Sequence, residues 1–267
     1  MSETTFDLNA YLERIGVERL PANLIEKLHA LHRAQAYAIP FEVFDIHLGR
    51  GVSVAPAEIF DKLVGKRRGG YCFELNTLLG DALEAAGFEV QRLLARVLFK
   101  RESPGPRTHM VLVVTAEGKR WLADVGFGGP GIVDPLPLEP GRESEQAGAR
   151  FRLREDARYG HVLERGDANG WAPLYAFNFE SFTSDDVVVA NHFTSTHPSS
   201  PFRGIRMCAL PSPTGRATLA NFELSLHRHD GTSQTRTIEP GVPYLQMLQE
   251  SFGLILDADY EDLAPLK

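Results

Sequence analysis

Apolar residues recur at helical spacing through the first third of the chain: Tyr11, Leu12 and Ile15; Leu24, Ile25, Leu28 and Leu31; Ile59, Phe60 and Leu63. Pro21 and Pro56 each stand near a predicted start, where a missing N–H is tolerated. After the break at Gly69 and Gly70, a further stripe of Cys72, Leu75, Leu79, Leu83 and Ala86 runs to a stop at Gly87. This pattern predicts that Cys72 opens a helix. Beyond Phe88 the pattern changes to strands over 90–99, 109–115, 120–124, 151–154 and 171–177. Prolines 130, 135, 137 and 140 mark an irregular excursion, and prolines 198, 201, 211 and 213 a second boundary. A strand at 206–210, a hairpin of 222–226 with 235–238 around Asp230-Gly231, and a helix over 243–251 complete the reading. The class is α+β.

Composition narrows the function. Of 267 residues, 43% are hydrophobic and 24% charged, which is ordinary globular material long enough to enclose an active site. Thirty-five acidic residues against 28 Lys and Arg leave a charge of −7, which argues against a broad grip on nucleic acid or an anionic membrane. Any anionic ligand must therefore be held locally. The opening MSETTFDLNA has no basic or apolar leader, and no stretch approaches the ~20 apolar residues of a membrane helix, so a cytoplasmic location is expected. Two cysteines, Cys72 and Cys208, supply neither a disulfide framework nor a thiolate metal site.

Cys72 has the setting of a reactive thiol: a helix N-terminus, with Arg67 and Arg68 just upstream. Gly69 and Gly70 are expected to leave room and free N–H groups for an acyl oxyanion. A buried filler cysteine is the plain alternative. A thiol nucleophile needs a base and an orienting group. His109 begins one strand and Asp124 ends the next, with 116–119 as the turn. A two-residue loop at Glu117-Gly118 sets them diagonal on one face, a four-residue loop directly opposite, and a three-residue loop on opposite faces. Taken singly, a strand-end histidine and a turn-capping aspartate explain both.

The other histidines carry less. His29 and His32 read as a solvated helix face, and His227 and His229 share a strand face without further ligands; no metal is assigned. The run Gly126-Phe-Gly-Gly-Pro-Gly131 satisfies GxGxxG formally, but Pro130 and the prolines after it leave no helix to receive a pyrophosphate. Its glycines fit a ligand approaching the backbone, with Phe127 at a pocket. Cys208, within Met207-Cys-Ala-Leu210, reads as buried and inert.

Together these segments resemble the arylamine N-acetyltransferases. The resemblance rests on Arg68-Gly-Gly-Tyr-Cys72-Phe-Glu-Leu-Asn76, Arg107-Thr-His109 and Asp124-Val-Gly-Phe-Gly128, with Ile39-Pro-Phe-Glu42 and Phe193-Thr-Ser-Thr-His-Pro198 in the same order. It implies a helical bundle carrying the nucleophile (1–87), a β-barrel carrying His and Asp (88–197) and an α/β lid (198–267), around a core like that of cysteine transferases and thiol proteases. It further implies a ping-pong acetyl transfer from acetyl-CoA through Cys72 to an arylamine, arylhydrazine or N-arylhydroxylamine. His109 would be the base and Asp124 its orienting group, and acetyl-CoA would be a substrate, with no prosthetic group. By the same resemblance Thr108, Gly126, Phe127, Gly128 and Gly129 neighbour the cofactor, and Phe41, Tyr71, Phe127 and Phe202 line the acceptor pocket. Arg203 and Arg206 are further candidates for phosphate. Where the family has Phe-Glu-Asn-Leu this chain has Phe41-Glu-Val-Phe44, which leaves Glu42 to pair with Arg68 as a structural anchor. Two rivals stay open: a thiol hydrolase or transglutaminase-like acyltransferase, and a silent module that binds an acyl-CoA or aromatic ligand.

Overall fold

A computed structural model describes residues 6–167 and 170–266. Residues 1–5 and 267, the ends of the first and last expected segments and part of the leader reading, lie outside the described residues. The chain begins with α1 (Leu8–Ile15) and α2 (Leu24–Ala38). Asp7 caps the first, accepting from the Ala10 N–H, and Asn23 the second, accepting from the Glu26 N–H. A short strand β1 (Phe41–Glu42), α3 (Phe44–His47) and α4 (Pro56–Phe60) lead to α5 (Cys72–Ala85), which the Gly87 turn ends at φ 93°. Most of α5 is buried, because it is wedged between the helices and a sheet.

That sheet comprises β2 (Glu89–Val97), β3 (Arg107–Ala116), β4 (Lys119–Ala123), β5 (Leu136–Pro137), β6 (Glu143–Gln146), β7 (Ala149–Asp156), β8 (Gly160–Asp167) and β9 (Gly170–Phe177). Its antiparallel order, β5-β4-β3-β2-β9-β8-β7-β6, curls into a nearly closed barrel. The Gln146 amide bridges the edges, its Oε1 accepting from the Val133 and Asp134 N–H groups at 2.8 Å each. The unbroken apolar run of β3 follows from burial on both faces. Leu94, Met110, Leu112 and Val114 pack with the helices, while Leu93, Ala95, Val111 and Val113 fill the barrel with Phe151, Leu163 and Tyr175.

Helix α6 (Ser184–Thr196), which the apolar pattern did not reveal, follows the barrel. The remainder is β10 (Met207–Ser212), β11 (Gly215–Ala220), β12 (Glu223–Arg228), β13 (Ser233–Thr237) and α7 (Val242–Phe252). The second sheet, β1-β10-β11-β12-β13, draws its first strand from the helical segment, and α7 covers it through Tyr244, Met247, Leu248 and Phe252. The expected hairpin of 222–226 with 235–238 is the β12–β13 pair, with Glu223 opposite Thr237. Among the described residues no helix is long and apolar enough to cross a membrane.

Candidate active site

Cys72 is the first residue of α5, buried, with its Sγ 3.5 Å from the Thr108 carbonyl oxygen. A buried five-member ion cluster holds the turn before it. Arg68 reaches Glu42 at 2.6 Å and Asp45 at 3.1 Å, and Lys62 reaches Asp45 at 2.6 Å and Glu74 at 2.7 Å. Glu74 also accepts the Tyr71 N–H at 3.0 Å, fastening the residue before the thiol. Burial pushes the Glu74 carboxyl up to about 7, against the pull of Lys62. The expected Glu42–Arg68 pair is therefore present, but it corrects two other expectations. The Arg68 charge is neutralised by Glu42 and Asp45, so it is not the cation that activates Cys72. The Gly70 N–H donates to the Pro40 carbonyl at 3.2 Å, beside a parallel bridge between Phe41 and Gly70, so it is not free for an oxyanion.

His109 and Asp124 come from the β3–β4 hairpin. Ala116 pairs with Lys119, leaving the two-residue loop Glu117-Gly118 with φ 50° and 73°, the positive angles of a type I′ turn. The ladder ends at Leu112 opposite Ala123, which leaves Asp124 one residue past it, diagonal to His109 as the two-residue loop requires. His109 Nε2 lies 2.8 Å from Asp124 Oδ2, both side chains buried. Asp124 Oδ1 accepts from Asn76 Nδ2 at 2.8 Å and from the Gly126 N–H at 2.9 Å. With Nε2 so engaged, Nδ1 is the ring nitrogen left for Cys72, whose side chain hydrogen-bonds the imidazole.

Burial works against charge on the His109 ring, but the facing Asp124 carboxylate and the bonds to Asp124 and Cys72 outweigh it and raise the ring to about 10. Burial likewise works against charge on Asp124, and the His109 charge with three hydrogen bonds holds the carboxyl below its usual range. The ring is thus an imidazolium at neutral pH, beside the Cys72 sulfur at the start of α5.

A cleft opens beside the triad between the barrel and the second sheet. Its wall includes Phe41, Asp124, Phe127, Gly128 and Gly129, and on the far side Arg165, Arg216, His227, Arg228 and His229. Phe127 links cleft to triad, with its ring 5.5 Å from that of His109. Gly126 permits the close fit, because a Cβ there would stand 2.8 Å from the Cys72 Cα; at Gly128, φ 71°, a Cβ would stand 2.6 Å from the Phe41 ring. Phe41, Tyr71 and Phe202 form one aromatic group, with Phe202 5.9 Å from Phe41 and 6.3 Å from Tyr71. The Tyr71 hydroxyl donates to Asn191. Thr108, Gly126, Tyr71 and Phe202 do not line the cleft.

Other expectations are corrected. Arg206 is almost fully buried, and its guanidinium holds the C-terminal segment through Tyr260 Oη and the Leu263 and Ala264 carbonyls, while Arg203 donates to the Thr196 carbonyl. His32 is not on a solvated face: it is fully buried against Asp124 and Val133, and only His29 is partly exposed, paired with Asp134. His229 lies one residue beyond β12. Cys208 is fully buried, and burial pushes its thiol well up. The residues the sequence reading gave no role are Asn76, His32, Tyr175, whose ring lies 4.9 Å from His109, and the pair Arg165 and Arg216. Only Asn76 carried a signal, standing one helical turn from Cys72 on the same face.

A helix-borne thiol, an imidazolium and an orienting carboxylate make an arrangement suited to acyl transfer. The N-acetyltransferase family model matches residues 24–260. The chain is similar to the arylamine N-acetyltransferase of Mycolicibacterium smegmatis, 38% identical over 97% of this chain and 94% of that protein. It is also similar to the arylamine N-acetyltransferase / N-hydroxyarylamine O-acetyltransferase of Salmonella typhimurium, 36% identical over 92% of this chain and 88% of that protein. The solved structure of Mycobacterium marinum arylamine N-acetyltransferase in complex with CoA superposes with a TM-score of 0.86, 35% identity and 93% coverage of both chains. The chain belongs to the arylamine N-acetyltransferase family.

Proposed function

We propose that this enzyme moves an acetyl group from acetyl-CoA to an arylamine, arylhydrazine or N-arylhydroxylamine through a thioester on Cys72. The observation that carries the reading is the contact triad of Cys72, His109 and Asp124 at the start of α5. In the first half-reaction the Cys72 sulfur attacks the thioester carbonyl carbon, the tetrahedral intermediate collapses, and the CoA sulfur leaves with the His109 proton. In the second the acceptor nitrogen, or the hydroxylamine oxygen, attacks the Cys72 thioester, His109 takes its proton, and the thiolate is regenerated. Asp124 keeps the imidazole oriented and supports its charge throughout.

The cleft supports the donor's place. Arg165 on β8 and Arg216 on β11 both line it, and among the described residues neither has a carboxylate within ion-pair distance. Burial and Arg165 together lower the Arg216 pKa, and buried Arg216 Nε and His229 Nε2 have no hydrogen-bond partner. Like charges with unmet donors fit a polyphosphorylated ligand. Gly126, Gly128, Gly129, Phe127 and Thr108 would then flank the donor's acyl end, and Phe41, Tyr71, Phe127 and Phe202 the aromatic acceptor. We take 1–87, 88–197 and 198–267 as the parts supplying nucleophile, base and lid, in a cytoplasmic protein acting on small molecules, not on nucleic acid or membrane.

The test is intact mass spectrometry of wild type and Cys72→Ala after brief exposure to acetyl-CoA, then addition of a simple arylamine. One acetyl on wild type only, discharged faster by amine than by water, is expected. Discharge by water alone would favour a hydrolase, and absence of the adduct despite tight CoA binding a silent module.

A further inference from the structure

The catalytic Asp124 begins a loop, 124–133, that carries Phe127, Gly128 and Gly129 along the cleft and returns to the barrel edge at Val133. Three side chains from three elements hold its ends. Asn76 on α5 takes the Val125 N–H on its Oδ1 at 3.0 Å while its Nδ2 donates to Asp124. Gln146 on β6 takes the Val133 N–H. His32, midway along α2, touches both ends: its Nε2 accepts the Asp124 N–H at 3.0 Å, and its Nδ1 lies 2.9 Å from the Val133 carbonyl.

Partner chemistry fixes the state of this ring. A carbonyl only accepts, so Nδ1 carries the hydrogen, and a backbone N–H only donates, so Nε2 carries none. The ring is therefore a neutral Nδ1–H imidazole. Burial, the largest influence, lowers its pKa to about 4 against the opposing pull of the Val133 carbonyl, Asp134 and Asp124, with His29 adding to the lowering. The ionisable groups that face it are thus Asp124, Asp134 and His29, and Asp134 is itself bound by Arg33. An exposed helix residue has no need of such a pairing, and a core residue on α2 has no need of a ring with one donor and one acceptor.

We infer that His32 is a positioning residue for acetyl transfer, tying the peptide of Asp124 to Val133 so that the carboxylate behind His109 and the glycine-rich cleft wall keep one fixed relation. The inference rests on the triad reading of Cys72, His109 and Asp124. Its consequence is that the side chain acts on the acylation rate without touching substrate: losing it lets Asp124 and Phe127 drift together, and a displacement of ~1 Å in such a site slows a reaction about 100-fold.

The experiment compares Cys72 acetylation by acetyl-CoA in wild type, His32→Leu and His32→Gln, read by rapid-quench intact mass at saturating donor. Leucine fills volume but neither donates nor accepts, whereas the glutamine amide does both. His32→Leu is expected to acetylate about 100-fold more slowly, and His32→Gln to recover most of that loss. A folded His32→Leu enzyme at nearly the wild-type rate, or a His32→Gln enzyme no faster than His32→Leu, would overturn the inference. A second readout needs no variant: in wild type labelled with 15N-histidine, His32 should show the neutral Nδ1–H tautomer at pH 7, and a charged ring or the other tautomer would equally overturn it. Failure of wild type itself to acetylate at Cys72 would instead sink the triad reading, so the two failures are distinguishable.

Discussion

Replacing Asp124 with asparagine isolates what the carboxylate does, because shape is kept and only charge and one acceptor are lost. The hydrogen bonds around it decide which way the new amide points. Asn76 Nδ2 and the Gly126 N–H both donate to Oδ1, so the amide oxygen must stay there and the NH2 group falls where Oδ2 faces His109 Nε2. Two donors then meet, the ring hydrogen moves to Nδ1, and Nδ1 is the atom that must receive the thiol proton. The wild-type ring is raised to about 10 from an ordinary 6.5, a preference for the imidazolium of roughly 5 kcal/mol. Without the carboxylate, only Cys72 is left to oppose burial, and most of the preference for the imidazolium is lost. Acetylation of Cys72 in Asp124→Asn is therefore expected to slow by about 10³–10⁴, measured by rapid-quench mass spectrometry across pH. An Asp124→Asn enzyme acetylating within about tenfold of wild type would refute the reasoning.

Lys62→Met leaves Asp45 and Glu74 without their shared buried cation and should destabilise the protein by about 3–5 kcal/mol in urea denaturation. Gly128→Ala places a methyl against the Phe41 ring at a positive φ; it should raise the KM for acetyl-CoA and lower the Tm, checked by steady-state kinetics and calorimetry. Arg216→Ala should raise the KM for acetyl-CoA about tenfold or more with little change in kcat, and the KM should lose most of its salt dependence. The His109 pKa stands above its unfolded value, so its contribution to stability is fully present below about 6.5 and is lost as pH rises through about 10. Denaturation curves from pH 6 to 10 should show that decline in wild type and a much flatter profile in Asp124→Asn.

How far the site could be read in advance depended on whether a residue's role is local. Cys72 at a helix start and the hairpin that brings His109 and Asp124 to one end follow from periodicity and turn chemistry within short stretches and stand in the structure, whereas the loop length, left open between two and four residues, is fixed at two only by the pairing of Ala116 with Lys119. Helix α6 was not legible, because Val187, Val188 and Val189 run consecutively and obscure the helical period. The roles of Gly70 and Arg206 were misread for a different reason. Each looked free in its own segment, and each is engaged by a partner elsewhere in the chain: Gly70 by Pro40, Arg206 by the segment at 263–264. His32 is the extreme case, since both its partners lie about a hundred residues away and nothing in its neighbours on α2 signals a buried ring.

The same distinction explains how a chain of charge −7 can offer a place for a polyanion. Three positive groups of the helical segment are closed off by acids: Lys62 and Arg68 share Glu42, Asp45 and Glu74, and Arg33 is taken by Asp134. Arg165 and Arg216 lie on strands of two different sheets and come together only because the fold brings both strands to the cleft. An anion lying between them would relieve their mutual repulsion. The same cleft is walled by the loop that His32 holds against Asp124. Donor binding and alignment of the triad therefore share that loop, which predicts that Arg216→Ala and His32→Leu together should slow acetylation at low donor concentration by other than the product of their separate effects.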